Sequence, residues 1–349
     1  MADSQRVRAF DWLRGIAVLV MIQTHALSLL RPDLHAGGLF ERLQWIDGLV
    51  APAFIFAAGF AMALTQVRAA ASVDSSPGAR ARRFRKTLRR IGEVIAVATL
   101  MQWMWFPLVQ EPKWLLRIDI LMCIALSLLI ALPILSVLAP RPRLLSLVAL
   151  ALAALVFGIA PLGEGIGGFW GHFLSNKSGS GFPLLPWAGY VYLGAAVGAA
   201  TALGGRRAAA LWLLGICAAG IAIWIATPFF QSAYGAHDFW VTNPANCARR
   251  FTQVTGVALL LLALERVAGA TLQRSIPIRF IEVFGTSSLA GYFYHESLLF
   301  YRIGGVSFHA LWGDKTDWPV YWGLVALLIA MTFALTWLTD RLYRRVMPA

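Results

Sequence analysis

The sequence predicts an all-α, polytopic integral membrane protein of about ten transmembrane helices with both termini in the cytoplasm, on three observations. Of 349 residues, 59% are hydrophobic and 13% charged, with a mean hydropathy of +0.67, whereas an ordinary soluble domain is about 25% charged. So little polar surface excludes a cytosolic enzyme and, despite the formal net charge of +13, a nucleic-acid-binding domain. Apolar runs of the roughly 20 residues that a spanning helix needs recur along the whole length. Lys and Arg are concentrated in alternate turnarounds, which is how a polytopic chain records its orientation.

The runs lie near 10–30, 46–66, 91–109, 118–138, 144–161, 184–204, 208–227, 251–268, 280–302 and 319–339. The first follows Arg6 and Arg8; it is too long for a signal peptide, carries Asp11 and Arg14, and lacks a small-residue cleavage site, so it reads as a retained helix. A basic loop at 67–90 with eight Lys/Arg separates the second and third runs, while "RPR" and "GGRR" separate the fourth from the fifth and the sixth from the seventh. These turnarounds, the C-terminal ones and the termini carry 20 Lys/Arg against 9 on the other side, which places them in the cytoplasm. The segments 162–183, 228–250 and 303–319 are then outer loops, whose Trp and Phe suit an interfacial aromatic belt or carbohydrate stacking. The whole of 1–349 reads as a single transmembrane domain. Three cysteines cannot make a disulfide framework, and Cys247, outside the apolar runs, reads as the exposed thiol.

All six histidines, His25, His35, His172, His237, His295 and His309, fall in the outer half of this topology. Histidine moves its proton near neutral pH, so the asymmetry suggests proton-transfer chemistry near the outer leaflet. In the first run, eleven residues of helix bring His25 to within about 20° of Arg14, some 16 Å along the axis, and Asp11 joins that face. An ionisable side chain in a span costs a few kcal/mol unless it is paired or faces a polar cavity, so this face should look inward. In the ninth run Ser288, Tyr292 and His295 share one face at i, i+4 and i+7, suited to substrate contacts or to polar helix packing. No H-E-x-x-H helix, zinc spacing, phosphate loop or G-x-S-x-G elbow is present, so no metal is expected.

"R-x-x-D-x-L-R-G" with a following histidine, here Arg8, Asp11, Arg14, Gly15 and His25, resembles the first helix of the transmembrane acyltransferase superfamily, with the Arg-x10-His spacing of its acyltransferase-3 branch. "DGLVAPAFIFAAGFAMAL" from Asp47 and "FPLLPWAGYVYLGAAVG" from Phe182 resemble the heparan-α-glucosaminide N-acetyltransferase catalytic-domain family and its bacterial relatives. "RIDILMCIALSLLI" and "FGTSSLAGYFYHESLLFY" resemble the superfamily's fourth and late helices. The glucosaminide branch carries its histidine in the first outer loop and tends to have Asn at the end of the first helix. Here His25 occupies the helix position and His35 the loop, so both are candidate bases.

The resemblance implies a membrane acyltransferase that moves an acetyl or other short acyl group from cytosolic acetyl-CoA to a glycan or amino-sugar acceptor on the outer side. A thioester is already activated, so the protein needs a base or nucleophile and oxyanion donors. His25 or His35 could serve as base, Asp47 could fix its tautomer, and Ser288, Tyr292 and His295, the last a further catalytic candidate, could contact the acceptor or oxyanion. Asp11, Arg14, Arg89 and Arg90 are the candidates for the donor's phosphates. The alternative is a secondary transporter or lipid-linked-sugar flippase, with Asp11, Arg14, Glu93, Asp119 and Glu282 coupling ion movement. No internal repeat supports it. A bacterial inner membrane is the expected location, membrane lipids the surroundings, and a homodimer is compatible with the sequence.

Overall fold

The structure, a computed structural model, describes residues 6–71, 76–106, 109, 111–268, 275–302 and 304–346. Residues 72–75 of the basic loop and residue 303 of the last outer loop therefore lie outside the described residues. Among those described, the regular elements are helices: α1 Arg8–Ala26, α2 Gly38–Asp47, α3 Val50–Ala70, α4 Pro77–Trp105, α5 Ile120–Leu138, α6 Pro142–Gly163, α7 Gly168–Leu174, α8 Leu184–Ile225, α9 Thr227–Ala233, α10 Pro244–Val267, α11 Ile276–Thr286, α12 Ser288–Leu299, α13 Phe308–Trp312 and α14 Trp318–Val346. Each of the ten apolar runs falls on a helix. Among the described residues, seven helical stretches are long and apolar enough to cross a membrane, including Ala9–Leu29, Gly38–Ala70, Leu184–Ile225 and Pro244–Val267.

The helices are cut differently from the runs, for local reasons. Residues 77–90 of the expected basic loop are the first half of α4, started by the Ser76 hydroxyl accepting the Ala79 N–H and by Pro77 at the first helical position. The sixth and seventh runs meet at Gly204–Gly205 within α8, where Gly205 has φ 59°, a left-handed conformation that glycine adopts freely. The 42 residues of α8 would be about 63 Å long if straight, twice a hydrocarbon core. The ninth run is broken into α11 and α12 at Ser287, whose φ −116°, ψ 35° leave the helical region. Finally, α10 begins at Pro244, so Cys247 is enclosed in helix packing at 0% exposure and is not an exposed thiol.

The described residues divide into two compact units: 7–53 with those from 261 onward, and 54–260 with Arg6. The first unit is assembled from both ends of the chain. Here α1 and α11 meet backbone to backbone: a Cβ on Gly15 would lie 2.1 Å from the Ile281 carbonyl oxygen, and one on Gly285 2.0 Å from that of Asp11. The start of α1 is capped from far away, by the Glu265 carboxylate accepting the N–H groups of Arg8 and Ala9, both at 3.1 Å. Its C-terminal half is pinned to α14 by buried Gln23, whose amide donates to the Tyr321 hydroxyl at 3.0 Å while that hydroxyl donates to the Gln23 backbone carbonyl at 2.9 Å.

In the second unit, α6 packs along α8, and α3 crosses α8 at small residues. A Cβ on Gly59 would lie 2.0 Å from the Val191 oxygen, and one on Gly194 1.9 Å from the Phe56 oxygen. Such seams replace hydrophobic drive with close van der Waals packing, as expected of helices in lipid.

Candidate active site

The first unit brings His25, His295 and Glu296 together. His25 ends α1, and the other two are consecutive on α12; the break at Ser287 lets α12 take its own direction after α11 has locked onto α1 through Gly285. His25 Nδ1 is 2.7 Å from Glu296 Oε1 and 2.9 Å from His295 Nε2, and the two rings stack with centroids 5.1 Å apart. His295 is fully buried, and its Nδ1 lies 3.0 Å from the Gly291 carbonyl oxygen. A carbonyl only accepts, so that Nδ1 carries the hydrogen, and with the ring neutral His295 Nε2 is a lone pair. The proton in the central contact must then sit on His25 Nδ1, which donates to both Glu296 and His295. His25 Nε2 is left as the unprotonated nitrogen. With its side chain 32% exposed against 8% for Glu296 and 0% for His295, His25 is the member able to meet a substrate.

This arrangement supplies a histidine with a fixed tautomer, a carboxylate to stabilise its imidazolium, and a buried second imidazole behind it. The same three donor atoms lie within 4.8 Å of one another and form a group able to hold a metal ion. No spacing that a sequence motif detects joins positions 25, 295 and 296.

The other candidate residues are distributed as follows. Asp47 ends α2 beside Thr24 and His25; both of its oxygens are buried with no hydrogen-bond partner of normal length, and the Thr24 hydroxyl donates instead to the Val20 carbonyl at 2.8 Å. The tautomer of His25 is therefore held by Glu296, a residue the sequence reading passed over. The available signal was an acid next to His295 in an apolar run, where an ionisable group is costly without a task. His35 is exposed and stacks on Phe40 with centroids 5.1 Å apart. Tyr292 presents its ring edge-on to His295 at 5.4 Å, and Ser288 opens α12. Arg14 pairs with Asp11, and its Nε is buried with no acceptor. Arg89 and Arg90 belong to the second unit, where Arg89 pairs with Glu93 at 3.2 Å and Arg90 borders a small cavity with Gln66 and Thr87.

The acids that a transporter would use have structural partners. Glu282 accepts the Trp12 indole N–H at 3.1 Å and lies 3.7 Å from Arg8, and Asp119 caps α5 by accepting the Met122 N–H at 2.8 Å.

Residues 6–226 match the family described as heparan-alpha-glucosaminide N-acetyltransferase, catalytic. That stretch holds Asp11, Arg14, His25, His35 and Asp47, while His295 and Glu296 lie outside it. Comparison with individual curated proteins gives no match.

Proposed function

Because the chain belongs to the heparan-alpha-glucosaminide N-acetyltransferase catalytic-domain family, a family of membrane acetyltransferases, we propose that it transfers an acetyl group from cytosolic acetyl-CoA to an amino-sugar or other glycan acceptor on the outer side, with His25 as general base. The observation that carries this reading is the 2.7 Å contact of His25 Nδ1 with Glu296 Oε1, which leaves Nε2 free on a partly exposed ring. Acetyl-CoA would supply the activated thioester. His25 Nε2 takes the proton from the acceptor amine or hydroxyl as it attacks, the Glu296 carboxylate balances the imidazolium that forms, and the same proton then goes to the departing thiolate. Tyr292 and Ser288 would orient the acceptor. The unmatched Nε of Arg14 fits a phosphate contact of the donor.

The distribution of Lys and Arg supports ten spans with both termini cytoplasmic, and the Ala-, Arg- and Gly-rich composition supports a bacterial inner membrane as the location. Read this way, Leu184–Ile225 crosses twice around Gly204–Gly205, and 91–105 of α4 and the α11–α12 pair supply the remaining spans. The test is acetyl transfer from labelled acetyl-CoA to glucosamine by purified protein. His25→Ala should lower turnover ~10²–10⁴-fold, the loss expected of a general base, with acetyl-CoA binding retained. Near-normal turnover in His25→Ala together with loss in His35→Ala would move the role to the loop histidine.

A further inference from the structure

Helix α10 carries consecutive arginines inside an apolar stretch long enough to span, Pro244–Val267. Arg249 has a local acceptor: its Nε and Nη2 donate to Asn246 Oδ1 at 3.1 and 3.0 Å. Arg250 has none. Among the described residues no carboxylate pairs with it, its Nε is buried without an acceptor, and its guanidinium carbon lies 5.5 Å from the centroid of the Trp187 ring. Trp187 is only 7% exposed, and its indole N–H is also buried without a partner. Gln253, three residues on and so on the same face of α10, has a buried Oε1 in the same condition.

Buried polar groups in proteins are almost always hydrogen-bonded, and an arginine left without a carboxylate inside a span marks a binding site or path. Two of the three unmatched groups are a cation and an N–H donor, which call for an oxyanion, and the third, Gln253 Oε1, accepts and calls for a hydroxyl; guanidinium gives oxyanions strong, charge-assisted hydrogen bonds. What adjoins them is apolar. Ring contacts run from Trp187 to Tyr190 at 5.9 Å, Tyr190 to Phe157 at 5.0 Å and Phe157 to Phe251 at 5.8 Å. Phe157 and Phe251 in turn line a cavity of about 590 Å³ with Leu193, Trp212, Ile216 and Phe230.

We propose that this part of the second unit is a lipid site. The phosphate of an anionic phospholipid sits on the Arg250 guanidinium beside the Trp187 N–H, and a hydrocarbon chain runs along these rings to the cavity that Phe157 and Phe251 line. A soluble oxyanion would satisfy the arginine but leave the cavity unfilled, whereas an amphiphile matches both. The site is separate from the His25 cluster and does not depend on the proposed reaction.

The experiment is titration of delipidated, purified protein with phosphatidylglycerol, followed by native mass spectrometry, alongside inorganic phosphate and glucuronate by calorimetry. Wild type should bind one phosphatidylglycerol. Arg250→Gln should weaken it about 10- to 100-fold, the loss of a charged hydrogen bond, and Ala154→Phe, which fills the cavity with Arg250 intact, should weaken it as well. Trp187→Phe, which keeps the ring and removes the N–H, provides a second reading if Arg250→Gln does not fold. Equal lipid affinity in wild type and in the folded variants would overturn the proposal. Phosphate or glucuronate binding as tightly as the lipid would also overturn it, leaving an oxyanion site for a soluble ligand.

Discussion

Glu296 sets what His25 can do, since a lone histidine at a helix end has neither a fixed tautomer nor a counter-charge for its imidazolium. Glu296→Gln keeps the shape and an acceptor but removes the charge, so turnover should fall ~10²–10⁴-fold, as when the carboxylate of a catalytic triad is made neutral. Unchanged turnover in steady-state assays would mean that His25 acts without it. Glu164, just past the end of α6, makes a different kind of prediction. Burial pushes its carboxyl up, but the Thr242 hydroxyl, the Asp238 N–H at 2.8 Å and Lys177 at 3.4 Å outweigh this and hold it below its ordinary value of 4.5. A depressed carboxylate contributes stability that is complete above its unfolded value and is lost as pH falls through the folded one. Thermal melts should therefore show wild type losing stability below about pH 4.5 and Glu164→Gln showing a flatter profile. At neutral pH Glu164→Ala, which strands the Thr242 and Asp238 donors, should cost about 1–3 kcal/mol. His25, His295 and Glu296 were all legible as polar residues in apolar runs; what the sequence did not show is that Glu296 serves His25, a contact across 271 positions.

Hydropathy locates helices well but says little about where one stops within an apolar run. The 280–302 run reads as continuous because Gly285, Thr286, Ser287 and Ser288 cost a hydropathy window little, yet hydroxyls compete for backbone hydrogen bonds. In the structure the Ser287 hydroxyl turns to Asp340 at 3.2 Å and the helix restarts at Ser288. The glycine before the break has a separate task, keeping α11 against α1. Gly285→Ala would put a methyl into the Asp11 carbonyl and force the helices apart, displacing His25 from Glu296. Overpacking of this kind costs about 1–3 kcal/mol, so Gly285→Ala should express with a lowered melting temperature and a turnover loss larger than its loss of acetyl-CoA affinity. Gly256→Ala, where an added Cβ meets nothing within 4 Å, is the matched control.

At the scale of the whole molecule, composition alone identified a helical membrane protein, while the order of motifs along 8–302 pointed to the family. Neither could show that a single site draws on both ends of the chain. The orientation is open to direct test with membrane-impermeant maleimide on intact cells, in a background where Cys217, partly accessible, is replaced by Ser while Cys123 and Cys247 stay buried. Lys315→Cys, in the last outer segment, should label from outside and Arg80→Cys, in α4, only after permeabilisation. The reverse pattern would invert the topology and place His25 toward the cytoplasm.

The distant cap on α1 also has a consequence in time. Arg8 and Glu265 are 257 positions apart, and His25 and His295 270 apart. At about 5–20 residues per second of synthesis, α1 waits roughly 13–51 s after it emerges before the carboxylate that closes its first turn exists, and about as long before His25 meets its partners. Throughout that interval Asp11 and Arg14 can neutralise each other locally, being three residues apart, but His25 cannot find Glu296. A ribosome stalled before residue 265 would leave in the bilayer a first helix with open N–H groups and an unpaired histidine, an early product that membrane quality control could recognise by the very groups that later form the site.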